Sequence, residues 1–490
     1  MIQAETSILS PLSYIDHAGV EVLLSTLSYV LAGPLPDAQI AKLKSAAIAV
    51  ADKYRMVAGH IEALPAPRKG CFGVRVPLGR IDASDRVHFT VADERAGTLA
   101  AVMAKSGSDA CARFASQHKS PGQRDMTVVA PPHSVFRHKS VTGSLSALAK
   151  SKAPMFNIHV TVFSDFTCVG VSLPHGVFDG KGQGMIIAGI SAELQGISWV
   201  PPMFGPSNVL QDTFEAWNAL NDARESAGEV VDMSDPMVEA LKREFVPLGV
   251  ASGSKLAYHL GMELLWRKAE NRSLFLSRAT VDAIVKPIKE SIKARNPGAF
   301  VSTGDVLLMW FVRAAHSTEV LTDDRQISVL SAVCMRETLT AVDSEFARYP
   351  HNCMTSCTLP LMNKKELVVT GDLGDMALTH RKSLDQMRNL SFIKNWVHHM
   401  HKNGSSSIPA RGNGYDAWLS TNQCQGKTTK IDFGAPLVGY FYLMNVMPDH
   451  TILTNELHDG FMMQSTMRKS HWDAVDAAVA RLGHAYTSSA

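Results

Sequence analysis

Residues 157–173 alternate strictly between two kinds of side chain. Ile158, Val160 and Val162 share one side, with His159, Thr161 and Phe163 between them. After Ser164-Asp165-Phe166 the alternation resumes, with Val169, Val171 and Leu173 set against Cys168, Gly170 and Ser172. A period of two belongs to a strand, so the segment predicts a β-hairpin turning at 164–166. The second run passes directly into Pro174-His175-Gly176-Val177-Phe178-Asp179-Gly180, and a helical pattern follows over 182–194. His175 therefore sits at a strand end, on a tight glycine-flanked loop before a helix. Rigid elements hold a side chain at such a place while it still faces a cleft.

At 490 residues the chain is too long for one compact core, so two domains are expected. Hydrophobic residues make up 46% and charged residues 19%, which is ordinary globular composition. A formal net charge of +2 argues against nucleic acid as the main partner, because phosphate binding needs a concentrated basic face. No run approaches the roughly 18 apolar residues of a membrane helix. The opening MIQAETSILSPLSYIDH has no basic stretch followed by an apolar one, so no secretory signal is expected and the chain is read as cytoplasmic. The 7 cysteines are scattered and odd in number, which fits reduced thiols. Cys353 and Cys357 match neither a zinc nor a thioredoxin spacing and read as small buried residues.

Elsewhere, Ile40, Leu43, Ala47, Val50, Tyr54 and Val57 recur at helical spacing, with Asp37 as N-cap and Gly59 as stop. Residues 200–236 carry Pro201, Pro202, Pro206 and Pro236 and few periodic apolar positions, and are read as the domain crossover. Ser302 or Thr303 can cap a helix bearing Val306, Met309, Trp310 and Val312. Strands are expected at 327–333, 439–444, 451–456 and 461–467. Ser470, with Asp473 three residues on, is expected to cap a last helix. The loop 403–407 reads as flexible. No internal repeat is present. The resulting division is a first domain over 1–205, a crossover linker over 206–254 and a second domain over 255–490.

The motif His175-Gly-Val-Phe-Asp179-Gly180 suits acyl transfer from a thioester. The thioester carbonyl is already reactive, and the acceptor is a poor nucleophile until its proton leaves. A neutral imidazole can take that proton and return it to the departing thiolate. The developing oxyanion needs donors aimed at it. Nothing in this list calls for a metal or redox cofactor. Asp179, four residues on, could orient the imidazole or pin the loop through a cation; the sharp bend at Gly176 and Gly180 favours the second role. Taken alone, a His and Asp at this spacing are equally those of a loop-capping histidine. His398, His399 and His401 invite a metal reading, but no carboxylate or cysteine at zinc-site spacing accompanies them, so a solvent-facing helix end is expected. Gly180-Lys181-Gly182-Gln183-Gly184 lacks the P-loop pattern, so a flexible start to a helix is expected at least as much as any phosphate contact.

The order of further motifs resembles the BAHD-type acyltransferases, in the divergent fungal branch that includes trichothecene acetyltransferases. Leu9-Ser10-Pro11-Leu12 looks like the family's opening segment, and Met56-Val57-Ala58-Gly59-His60 like its PLAGR stretch. Val301-Ser302-Thr303 with Trp310 looks like its VST helix, Tyr349-Pro350-His351-Asn352 like its Y-x-GN element, and Asp432-Phe433-Gly434 like its DFGWG signature. The resemblance implies an α/β (α+β) fold of two chloramphenicol-acetyltransferase-like domains with mixed sheets and a tunnel between them. It implies His175 as general base, Asp179 as structural with Arg336 its partner, and Asp432 to Gly434 as a fold-holding element away from the chemistry. Gly180 and Asn352 are implied to support the site, and Thr421, at the family's Thr-Ser-Trp position, is the candidate oxyanion donor. It further implies no bound cofactor, with acyl-CoA, most simply acetyl-CoA, as co-substrate, a small specialised metabolite as acceptor through a hydroxyl or amine, and a monomer. The departures are Ala435-Pro436 in place of Trp-Gly, Gln423 in place of a common Trp, and His351 in place of Gly. Two other readings share this fold. One is a condensation-type enzyme with a carrier-protein-bound donor, against which Pro174 stands where the first His of that motif would be. The other is a non-catalytic binding protein.

Overall fold

The computed structural model describes residues 6–17, 21–64, 71–82, 86–105, 125–229, 236–247, 250–319, 326–403, 407–409, 415–445 and 450–487. The predicted hairpin is there, as the antiparallel strands Asn157–Phe163 and Phe166–Pro174. Both of its faces are buried, so the polar side chains of Asn157, His159 and Thr161 lie inside the protein. Around it forms a five-stranded sheet in the order Leu437–Met444, Leu24–Ala32, Phe166–Pro174, Asn157–Phe163, His88–Glu94. All neighbours are antiparallel except the last pair.

A second, eight-stranded mixed sheet runs Met354–Thr358, Gln326–Cys334, Tyr415–Asn422, Thr451–Leu457, Gly460–Met467, Glu270–Ser277, Met126–Val129, with Met362–Asn363 beside Gln326–Cys334. Each sheet holds one strand from the far side of the 206–254 crossover. Leu437–Met444 closes against Leu24–Ala32, and Met126–Val129 closes against Glu270–Ser277. The exchange ties the two halves through backbone hydrogen bonds. Helices Asp37–Lys53 and Gly180–Gln195 pack on one another over the first sheet, and Thr303–His316 and Lys469–Thr487 over the second.

The local signals mostly hold, with instructive exceptions. Ser302 caps Thr303–His316 in a full capping box with Asp305. Asp37 is not an N-cap; Pro36 occupies that place without a side-chain bond. The last helix begins at Lys469, so Ser470 lies inside it. The crossover is largely helical: Asn208 caps an 18-residue helix, Val209–Ser226, and Pro236–Glu244 follows. Its apolar stripe was too thin to read, since only Leu210, Phe214 and Asn218 are buried. Residues 404–406 of the loop expected to be flexible lie outside the described residues. No helix among the described residues is long and apolar enough to cross a membrane.

Candidate functional site

The strand Phe166–Pro174 ends at a tight turn. The amides of Val177 and Phe178 both donate to the Pro174 carbonyl, at 3.1 Å each. His175 N donates to Leu23 O at 2.9 Å, which ties the loop to the neighbouring strand. Gly176 is needed for close approach, because a Cβ there would lie 2.8 Å from the Glu21 backbone. Val177 and Phe178 are fully buried and anchor the turn, while the His175 side chain is half-buried.

Asp179 then caps the helix Gly180–Gln195. Its Oδ1 accepts from Lys181 N at 3.1 Å and Gly182 N at 2.9 Å. The same carboxylate forms a two-pronged ion pair with Arg336, each prong at 2.9 Å, and Oδ2 also accepts from Cys353 N at 3.2 Å. Arg336 continues to the carbonyls of Tyr349, at 2.8 Å, and His351. The pair is buried on both sides. Asp179 thus turns away from the imidazole and pins the loop to the other half of the chain. Asn352 completes the hold from that half, with Nδ2 donating to the His175 carbonyl at 2.8 Å. Structure and sequence therefore bring His175, Asp179, Gly180, Arg336 and Asn352 together.

The His175 pKa lies below the ordinary histidine value. Burial pushes it down; its own backbone carbonyl, Asp179, the Asn352 side chain and Asp16 pull it partly back. Nδ1 is buried without a hydrogen-bond partner among the described residues.

The glycine-rich start of the helix is a packing device. A Cβ on Gly182 would lie 1.9 Å from Pro350 O, and one on Gly184 would lie 2.1 Å from Gly426 O. The helix therefore meets two backbone segments of the other half directly, and rigidity replaces the expected flexibility. A Cβ on Gly180 would come no nearer than 3.7 Å, to the Gln423 side chain, so there is room for a methyl group.

Thr421 lies on Tyr415–Asn422, half-buried, and no hydrogen bond among the described residues joins it to His175. Among the described residues, no hydrogen bond joins Asp432 or Gly434 to His175, Asp179, Arg336 or Asn352. Asp432 is exposed and accepts from Gly434 N at 2.7 Å. Gly434 has φ +85, where an L side chain is strained. Phe433 is buried against Tyr29, ring centroids 4.9 Å apart, and Gln39 donates to Phe433 O at 2.8 Å. A cleft of about 720 Å³ borders Asp432, and another of about 600 Å³ lies beside Pro236 and Phe392; His175 lines neither.

Sequence reasoning missed Asp16, Gln183 and Tyr442. Asp16 is wholly buried beside Asn352. Tyr442 Oη lies 3.0 Å from Gln183 Oε1 and 2.7 Å from Ser25 Oγ, and Gln183 donates to Phe178 O at 2.9 Å. An acid in the otherwise uncharged stretch Ser10–Ile15 onwards was the one available signal for Asp16.

His316, Glu319 and His471 place three metal-ligating atoms within 4.8 Å of one another. Hydrogen bonds already engage both ring nitrogens of His316 and both carboxylate oxygens of Glu319. Trp418 donates to His316 Nε2 at 3.1 Å, which forces the proton onto His316 Nδ1, facing Glu319 at 2.8 Å. His471 Nε2 and Lys364 Nζ take up the same carboxylate at 2.8 and 2.7 Å. The arrangement is that of a hydrogen-bond relay rather than a cation cage. His398 is buried, not solvent-facing, and bonds Glu225 at 3.2 Å; His401 is exposed.

No family model matches the chain. In sequence it is similar to the O-acyltransferase pboC of Aspergillus ustus, 22% identical over 69% of this chain and 73% of that protein. The acetyltransferase adrJ of Penicillium roqueforti is 26% identical over 49% of this chain and 45% of that protein. In fold it is similar to F. graminearum TRI101 complexed with coenzyme A and T-2 mycotoxin, with TM-score 0.67, 13% identity and coverage of 96% and 97%. Vinorine synthase follows at TM-score 0.55, 12% identity and coverage of 98% and 95%. The chain is thus BAHD-like in fold and similar in sequence to fungal acyltransferases.

Proposed function

We propose that the chain transfers an acyl group, most simply acetyl, from an acyl-CoA to a hydroxyl of a small specialised metabolite, with His175 as general base. The observation that carries the reading is the state of His175. It is a half-buried imidazole at the seam between the halves, its backbone fixed from both sides and its pKa depressed. Such a ring is neutral at pH 7 and able to accept a proton. With the proton on Nδ1, Nε2 offers its lone pair to the acceptor hydroxyl. The alkoxide attacks the thioester carbonyl, a tetrahedral intermediate forms, and the imidazolium returns the proton to the departing CoA thiolate. Thr421 is the proposed donor to the oxyanion. Asp179 and Arg336 keep the loop in place without touching the reacting atoms, and Asp432 and Gly434 hold the fold. The likeness to TRI101, solved with coenzyme A, supports acyl-CoA as co-substrate. Domains over 1–205 and 255–490 joined by 206–254, a monomeric state and a cytoplasmic location complete the reading.

The test is free-thiol release from a series of acyl-CoA donors against a panel of hydroxylated metabolites, for the parent and His175→Ala. The variant is expected to lose on the order of a hundredfold or more in turnover while still binding acyl-CoA. Parental turnover by His175→Ala would remove the base assignment. Turnover only with carrier-protein thioesters would replace this reading with the condensation-type one.

A further inference from the structure

The carboxylate of Asp16 has no part in the scheme above, yet it lies beside its centre. It belongs to the short 3-10 turn Tyr14–His17 and is wholly buried. Oδ2 accepts from Ser13 N at 2.7 Å and Ser13 Oγ at 2.8 Å. Oδ1 accepts from Asn352 N at 2.9 Å and Asn352 Nδ2 at 2.7 Å. The second hydrogen of Asn352 Nδ2 goes to the His175 carbonyl at 2.8 Å.

These bonds settle which way the Asn352 amide points. A nitrogen facing two acceptors cannot be exchanged with its oxygen. Asn352 Oδ1 is then a buried acceptor, and it has no partner among the described residues. His175 Nδ1 is likewise buried without one. The two orphaned atoms belong to residues already joined by a hydrogen bond. A carbonyl oxygen is satisfied only by a donor, so the complementary state of His175 carries its proton on Nδ1 and leaves Nε2 bare. That is the tautomer a general base requires.

We infer that Asp16 is a positioning residue which selects the His175 tautomer by fixing the orientation of Asn352. The inference rests on the reading of His175 as base. Asp16 acts at one remove. A charged acceptor at this place accepts only, so Asn352 must present its nitrogen to Asp16 and its oxygen elsewhere. A neutral amide at position 16 lifts that constraint, because it can donate or accept. Asn352 then keeps the His175 carbonyl as its one obligate acceptor; turning over gives up that bond alone and sets Nδ2 against His175, which moves the ring proton to Nε2 and removes the base.

The experiment compares the parent with Asp16→Asn, by steady-state kinetics and by ¹⁵N chemical shifts of the His175 imidazole. The parent is expected to show an Nδ1–H, Nε2-bare ring. Asp16→Asn is expected to fall in kcat on the order of a hundredfold, with the acyl-CoA KM unchanged and the shifts moved toward Nε2–H. A purely structural loss would not move the tautomer signature. An Nε2–H ring in the parent overturns the inference even if the variant does not fold. So does an Asp16→Asn protein with parental kcat and an unchanged tautomer, which would mean that the ring's own carbonyl suffices. In that case an inactive His175→Ala still leaves the base reading standing. If His175→Ala is instead fully active, the base reading fails, while the tautomer shift in Asp16→Asn still reports the coupling by itself.

Discussion

The ion pair between Asp179 and Arg336 offers a test in which the two ends give unequal results. Asp179→Asn preserves the shape and the helix cap, since Asn caps as well as Asp. It removes the charge that faces a buried guanidinium. Arg336 then keeps only uncharged partners, the carbonyls of Tyr349 and His351 and the Cys334 sulfur. Removing one member of a buried pair costs about 3–5 kcal/mol, because the other charge is left uncompensated. Arg336→Met leaves the opposite charge behind, but Asp179 still accepts from Lys181 N, Gly182 N and Cys353 N at a helix amino terminus. Backbone amides and the helix dipole stabilise a carboxylate there. Arg336→Met is therefore expected to cost about 2 kcal/mol less than Asp179→Asn. Replacing both, as Asp179→Asn with Arg336→Met, is expected to cost less than the sum of the single losses. The assay is urea unfolding followed by tryptophan fluorescence, with the midpoint compared at constant slope. An Arg336→Met protein less stable than Asp179→Asn would refute the reasoning, because it would mean that the backbone amides do not carry the carboxylate.

Gly182→Ala should cost about 1–3 kcal/mol by overpacking against Pro350 O, while Gly180→Ala, with nothing closer than 3.7 Å, should be near neutral in the same melts. The pH profile of kcat/KM should fall on the acid side through a single ionisation below the ordinary histidine value of 6.5, because protonation of His175 removes the base and burial lowers its pKa; a midpoint above that value would contradict the assignment. His159 is buried beside His138 and His88, and burial first, then those rings, bring its pKa to about 4. The unfolded chain therefore binds the proton more readily, so stability should be intact above pH 6.5 and decline by about 3 kcal/mol as pH falls to 4; His159→Gln should flatten that decline in denaturation curves taken across the range.

What the sequence made legible was local. The hairpin was readable because a period of two runs unbroken into the histidine loop. The cap before Thr303–His316 was readable to within one residue, Ser302 or Thr303, and Asp305, which completes the box, decides for Ser302. Gly182 and Gly184 were misread as flexible because their purpose lies in Pro350 and Gly426, far along the chain. The helix Val209–Ser226 was missed because one narrow stripe of it is buried. Asp16 and Asn352 stand 336 residues apart, and no spacing rule reaches across such a distance. The groups that perform a reaction tend to sit in short motifs; those that orient them come from wherever the chain returns.

That division bears on how strong a base His175 can be. Burial alone would drive its pKa down and weaken it, since a poorer proton acceptor gains less from the acceptor hydroxyl. Asp179 and Asp16 both oppose the fall. Asp179 is matched by Arg336, whereas Asp16 is held by hydrogen bonds alone, with no ion-pair partner among the described residues. The cluster of Asp16, Asp179 and Arg336 therefore keeps one net negative charge near the ring. A buried carboxylate and a useful base are compatible because the charge lies beside the half-buried imidazole and Ser13 and Asn352 supply the donors that stabilise it.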